Sequence, residues 1–378
     1  MLKDLVNLRK ELHQHPKLSG REEQTAKRIA EELSRYEPDE IFEEIGGTGV
    51  IAKFSSNNGS ATKAILFRAE LDAIAVQEES GTEYQSEDEG VMHGCGHDGH
   101  MAILIGLAHV LKNKMTPDLD VYLLFQPAEE TGEGAARVMA DERFQRIELD
   151  HAYALHNLPG FDEKSVLIKS DVFAAASVGM KVHFKGKSSH AAYPEQGVNP
   201  SKHIAEFIRL ADVKLDHFRS KNSLNKAVNT YIRMGEPAFG ISPGSAELGF
   251  TLRSPSDEEL ANAVNAIREI GGEIDNDFQG DLKMQKVEPF AATINSEKGI
   301  ETVKKAAMES GLEITELKQP FPWSEDFGEF RKKCPITLFG LGAGRDSAAL
   351  HSETYDFNDQ LIETGVQLFR AILEHHSS

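Results

Sequence analysis

Four short apolar runs, each leading to acid or histidine, constrain this chain more tightly than any other feature. Ala64-Ile65-Leu66-Phe67-Arg68-Ala69 leads into Glu70-Leu71-Asp72, and Val121-Tyr122-Leu123-Leu124-Phe125 leads into Gln126-Pro127-Ala128-Glu129-Glu130. Ala152-Tyr153-Ala154-Leu155 runs into His156-Asn157, and Ile336-Thr337-Leu338-Phe339-Gly340 precedes a glycine loop that reaches His351. Short continuous apolar runs suit buried strands, and their alternation with helical stretches suits a parallel sheet covered on both faces. In such sheets ligands bind in the crevice beyond the carboxyl ends of the strands, so these polar residues should converge on one site. The expected fold is α/β, a mostly parallel sheet flanked by helices.

The middle of the chain has a different rhythm. Strand-like alternation over 178–184, a helical stretch over 200–218, strands over 227–234 and 246–252, a helix over 257–270 and a strand over 282–287 give the order β-α-β-β-α-β. That order is the ferredoxin-like α+β unit. A complete motif inside a chain long enough for two domains reads as an insertion. The expected division is a catalytic domain of residues 1–174 and 292–378 and an inserted lid of residues 175–291. Helical patterns over 296–310 and 358–375 complete the interrupted first domain.

Charge excludes several partner classes. Lys and Arg total 41 against 61 Asp and Glu, a formal charge of −20 that repels phosphate backbones and anionic membranes. Neither nucleic acid nor a membrane is expected as a partner, and no apolar run approaches the roughly 20 residues that span a bilayer. Residues 1–13 combine helical apolar spacing with charge throughout, unlike a secretory leader, so a cytoplasmic location is expected. Cys95 and Cys334, far apart in the chain, are not expected to pair.

Residues 93–100, His93-Gly94-Cys95-Gly96-His97-Asp98-Gly99-His100, place imidazoles, a thiol and a carboxylate together with only glycine between them. A thiolate and an imidazole two residues apart can grip one metal centre. Directly afterwards Ile103, Leu104, Leu107, Ala108, Val110 and Leu111 recur at helical spacing over 101–114, which anchors the cluster to the core. Adjacent carboxylates at Glu129 and Glu130 must share one location despite their repulsion, and a cation explains that arrangement. Taken alone, His156 or His351 reads as a hydrogen-bonded structural residue and the acid pair as a solvated turn; the cluster at 93–100 reverses both judgements. Two divalent ions about 3.5 to 4 Å apart need a bridging anion and further donors. Cys95, His97, Glu130, His156 and His351 supply such a set, and their mixed softness suits zinc, manganese, cobalt or nickel better than calcium or magnesium. If one carboxylate binds metal, the other can accept and return a proton, which is the division of labour of hydrolysis.

These residues match a family. The cluster at 93–100, Gln126-Pro127-Ala128-Glu129-Glu130, Leu155-His156-Asn157, Gly186-Lys187-Ser188-Ser189-His190-Ala191, Ser324-Glu325-Asp326-Phe327 and Leu350-His351 occur in family order, beginning from Leu12-His13-Gln14-His15-Pro16. Together they resemble the aminoacylase/carboxypeptidase family of binuclear metallohydrolases, in its hippurate hydrolase and indole-acetyl amino-acid amidohydrolase branch. The resemblance implies two divalent ions, zinc or manganese, in a larger catalytic domain, a smaller ferredoxin-like lid, and cleavage of N-acyl amino acids at the amide. Position by position it makes Cys95 the bridging ligand, His97, Glu130, His156 and His351 the other ligands, and Glu129 the general base. It also makes Asp72 the carboxylate that orients a metal-binding histidine, His190 the lid histidine that stabilises the oxyanion, and Arg253 the clamp on the substrate carboxylate. By residue type alone, His190 is also a polar histidine of a Ser-rich loop and Arg253 an ordinary surface arginine.

Two departures bear on specificity. Glu70 stands where the family has Asp, one methylene longer, and Phe239-Gly240-Ile241-Ser242-Pro243 stands where the branch commonly shows Asn-Val-Ile-Pro. An amide donor toward the substrate is missing there, so the preferred acyl group is left open. A dipeptidase or aminopeptidase on the same scaffold would need a pocket for a free ammonium. A non-catalytic metal-containing binding protein would gain nothing from a base beside the ligand. The lid strands and outer helix could pair with a second lid in a homo-oligomer.

Overall fold

The computed structural model describes residues 1–56, 61, 63–112 and 118–377. Its first compact unit comprises Met1–Phe173, Thr293–Pro320 and Glu325–Ser378. An eight-stranded sheet runs through that unit in the order Glu40–Ile45, Gly49–Phe54, Leu119–Gln126, Lys63–Glu70, His151–Pro159, Ile336–Gly344, Val166–Ile168, Ile314–Glu316. The four central strands are parallel, and their register sets Glu70 beside Gln126 and His156 beside Gly340. Parallel register is what brings the polar residues after each strand to one edge of the sheet. Antiparallel neighbours flank these four, with Gly49–Phe54 on one side and Val166–Ile168 on the other.

The apolar runs fill the interior as expected. Ile65, Leu66, Phe67, Val121, Leu123, Leu124 and Phe125 have no exposed surface, and each such side chain contributes about 1.5 to 3 kcal/mol by leaving water. The helix expected over 101–114 begins earlier, as His97–Leu111, so its first turn already contains the second half of the cluster, His97 to His100, while His93 to Gly96 precede it. Positions 113 and 114 lie outside the described residues. Met101, Ile103, Leu104, Leu107, Ala108 and Leu111 are buried, whereas Val110 is half-buried. This helix is apolar nearly all round because it packs against the sheet and against helices Leu2–Gln14 and Gln360–His376.

The second unit comprises Ala174–Ala292 and Phe321–Ser324. Its antiparallel sheet has the order Lys226–Met234, Ser245–Ser254, Ala176–Lys185, Asp281–Phe290, and helices Ser201–Lys214 and Asp257–Asp275 complete the β-α-β-β-α-β chain order. Val178, Met180, Val182 and Phe184 point inward from the strand whose alternation announced it. Helix Asp257–Asp275 starts at Ser256, whose hydroxyl accepts the Glu259 N–H, and three acids occupy its first turn against the positive end of the dipole.

Two expectations change. The single helix read over 200–218 is two, Ser201–Lys214 and Asp216–Lys221, separated at Leu215, which turns its side chain into the core. Residues 321–324, assigned by sequence to the first domain, pack with the second unit. The Ala175 N–H donates to the carbonyls of Phe321 and Trp323, and the Arg253 guanidinium donates to the Pro322 carbonyl at 3.2 Å and to Ser324 Oγ at 3.1 Å. Among the described residues no helix is long and apolar enough to cross a membrane.

Candidate metal centre

At the carboxyl edge of the parallel strands the chain turns sharply into helix His97–Leu111. Gly96 makes that turn at φ 87°, and a Cβ there would stand 2.3 Å from Asn157 Oδ1, so both conformation and space require glycine. The turn brings Cys95 Sγ to 3.4 Å from His156 Nε2. Donor atoms of Cys95, His97 and His156 lie within 4.8 Å of one another, as do those of Cys95, Glu130 and His351, and those of His97, Glu129 and Glu130. Cys95 is common to the first two groups. All five expected ligands and Glu129 are thus gathered from segments widely separated in sequence.

Neighbouring backbone fixes how the rings point. His97 Nδ1 donates to the Asp72 carbonyl at 2.8 Å and His156 Nδ1 to the Asn157 carbonyl at 2.8 Å, which leaves Nε2 of each as the nitrogen that could hold a metal. The Asp72 carbonyl therefore holds the His97 ring, where the carboxylate was expected to do so. The carboxylate stands 3.6 Å from the ring and instead accepts Ser19 Oγ at 2.7 Å and the Glu130 N–H at 3.0 Å. Ala128 and His351 both adopt left-handed backbone, at φ 50° and φ 63°, a conformation that costs a residue with a side chain of order 1 to 3 kcal/mol. Local bonds hold them there. The Ala128 N–H donates to Glu22 Oε1 at 2.9 Å, and the His351 N–H donates to the Gly94 carbonyl at 2.8 Å.

The electrostatics favour binding of positive charge. Burial, then Glu325 and Glu130, pushes the Glu129 carboxyl well above its ordinary range, and burial pushes Glu130 up to about 7 despite the nearby His97. Burial followed by Glu130 and Glu129 raises the Cys95 thiol well above its ordinary value. Burial alone would lower His97, yet Glu70, Asp72 and Glu130 push it up to about 10. His97 Nε2, Glu130 Oε1 and Asp72 Oδ1 are buried without a hydrogen-bond partner among the described residues. Unpaired buried polar atoms are costly. Divalent cations would satisfy these donors and favour their deprotonated forms, so the residues fit the group. No described residue donates a hydrogen bond to the Glu129 carboxylate.

Sequence reasoning assigned no role to the charged layer behind these ligands. Arg68 is fully buried and donates to Gln126 Oε1 at 3.0 Å, Glu325 Oε1 at 2.9 Å, Asp326 Oδ1 at 2.8 Å and Glu70. Glu70 Oε2 accepts His100 Nδ1 at 2.8 Å, and His100 Nε2 accepts the Asn157 N–H at 3.1 Å. The longer acid at position 70 thus joins Arg68 to the histidine that packs beside His156. Carboxylate oxygens of Glu129, Glu325 and Asp326 lie within 4.8 Å of one another. The motif Ser324-Glu325-Asp326-Phe327 was the signal available, but nothing in its spacing ties it to Arg68.

His190 and Arg253 belong to the second unit. His190 is exposed on the strand Ser189–His190, which pairs with Ile241–Ser242. Its Nδ1 accepts the Ala192 N–H at 3.0 Å, so Nε2 carries the proton. Arg253 is half-buried and has no carboxylate partner among the described residues.

Comparison with known proteins follows the same lines. A family model described as Peptidase family M20/M25/M40 matches residues 66–375. An N-acetyldiaminopimelate deacetylase from Bacillus subtilis is 30% identical over 377 residues, covering 97% of each chain. A hippurate hydrolase from Campylobacter jejuni is 29% identical over 365 residues, covering 95% of this chain and 93% of its own. Among solved structures, a Bacillus subtilis protein described as a dinuclear metal binding peptidase shares the fold with a TM-score of 0.79 and 23% identity, covering 98% of this chain and 97% of its own.

Proposed function

The chain belongs to peptidase family M20/M25/M40, and from that premise we propose that it is a metal-dependent amidohydrolase that splits N-acyl amino acids, or amino-acid conjugates, into a carboxylate and a free amino acid. One observation carries the reading: Cys95 is shared by two groups of donor atoms, with Glu129 beside them and no hydrogen bond donated to its carboxylate by any described residue. Two divalent cations, zinc or manganese with cobalt and nickel also suited, would be held by Cys95, His97, Glu130, His156 and His351, and would polarise the scissile carbonyl and acidify the attacking water.

The chain's own groups supply the rest. Glu129 accepts the proton of the attacking water and passes it to the leaving nitrogen, a role suited to a buried carboxylate beside the metal-holding groups. The Asp72 carbonyl keeps the His97 ring turned for ligation. The resemblance assigns the Nε2–H of His190 to the developing oxyanion and the guanidinium of Arg253 to the substrate carboxylate. The named activities of the deacetylase and the hippurate hydrolase support an acyl substrate over a free peptide.

The test is release of free amino acid from a panel of N-acyl amino acids and dipeptides, before and after chelation and with zinc or manganese restored. Metal-dependent cleavage of the acyl compounds is expected. Cleavage of dipeptides alone would replace this reading with a peptidase, and metal uptake without turnover on any member would replace it with a binding protein.

A further inference from the structure

The motif Leu12-His13-Gln14-His15-Pro16 has no part in the reaction above, yet it contains a fully buried imidazole. Helix Leu2–Gln14 carries Arg9 and His13 on its inner face. His13 Nδ1 donates to Asp98 Oδ2 at 2.8 Å and Nε2 donates to Glu78 Oε1 at 3.2 Å. Both partners are carboxylates, so both ring nitrogens hold protons. Arg9 donates to Asp359 Oδ1 at 2.8 Å and Asp356 Oδ1 at 2.9 Å and stands 3.7 Å from Asp98.

Asp98 follows His97 directly. The same stretch of chain reaches His97 a second time, because Ser19 Oγ donates to Asp72 Oδ2 at 2.7 Å and the Ala73 N–H donates to the Lys17 carbonyl at 2.8 Å. Residues 9–19 therefore fix the neighbour of His97 in sequence and the residue whose carbonyl holds its ring. The turn they flank has glycine at 94 and 96, whose wide backbone freedom must be removed by contacts from outside the turn. We propose that Arg9, His13 and Ser19 are positioning residues that keep the metal-binding turn in shape, acting through Asp98 and Asp72. The proposal rests on the reading of the metal centre given above.

Two amide variants separate the two contacts of the ring. His13→Asn places a nitrogen where Nδ1 stands and keeps the bond to Asp98; His13→Gln places one where Nε2 stands and keeps only the bond to Glu78. Each full-length protein is loaded with Co(II), its affinity is measured by chelator competition, and its ligand-field absorption and melting temperature are recorded. His13→Asn is expected to stay near wild type. His13→Gln is expected to bind about tenfold or more weakly, with a shifted spectrum. A merely structural histidine would lower both melting temperatures without separating the affinities or the spectra, and that result overturns the proposal. Should His13→Gln not fold, Ser19→Ala decides: weaker cobalt binding supports the brace and unchanged binding overturns it. Wild-type protein that takes up no cobalt would contradict the metal centre itself, a result distinct from failure of the brace.

Discussion

Buried histidines stand at both edges of the parallel sheet in the first unit, and His97 at one edge is opposite in character to His151 and His376 at the other. At the carboxyl edge His97 sits among Glu70, Asp72 and Glu130 and is pushed up to about 10, and its Nε2 has no partner among the described residues. At the amino edge His151 is hydrogen-bonded to Thr337 Oγ1 at 2.9 Å and His376 to the Tyr153 hydroxyl at 2.8 Å, and burial pushes them down to about 3 and about 4. Burial is common to both edges and distinguishes nothing. What differs is that the amino edge satisfies these two rings with uncharged protein groups, whereas the carboxyl edge sets His97 among anions and leaves its Nε2 unpaired among the described residues, even though burial pushes neighbouring His156 down to about 3. The second arrangement is what a cation completes.

That contrast can be broken by substitution. His97→Ala at the carboxyl edge is expected to reduce activity to that of chelated protein and to bring metal content below two equivalents, measured by elemental analysis of the folded variant. Full activity or full metal content would erase the distinction between the edges. Thr337→Val at the amino edge is expected to lower stability by about 1 to 3 kcal/mol in urea denaturation, the usual cost of stranding a buried polar partner. Metal content and turnover should not move.

The smallest effect is in pH. His151 and His376 have folded values below the ordinary 6.5, so the stability they confer is fully present above that pH and is lost as pH falls toward about 4 for His376 and about 3 for His151. The stability gap between wild type and His151→Phe should therefore narrow as pH falls below 6.5. A gap that widens instead would mean the rings are held charged.

How far the sequence reaches can be seen from particular residues. Apolar runs that end in acid or histidine revealed the central strands and their common edge, since side chains such as Phe67 and Leu123 must be buried wherever the strand lies. Glycine spacing at 94 and 96 marked the ligand turn because a left-handed entry to a helix leaves a local trace. The Arg68 layer left none, since its partners Glu325 and Asp326 are brought in by sheet topology and not by any periodicity. The contact between Asp72 and His97 was not legible, because only geometry shows that the Asp72 carbonyl, and not its carboxylate, accepts the hydrogen bond of the His97 Nδ1–H. The break at Leu215 was hidden for a similar reason: both helices on either side keep the same apolar spacing.

Glu129→Gln tests the account most directly, with metal content and turnover measured on one sample against an N-acyl amino acid that the wild type cleaves. An unchanged metal complement and turnover lower by about two orders of magnitude or more are expected, since the amide keeps the shape of the side chain but cannot accept the proton. Turnover close to wild type with metal in place would contradict the account.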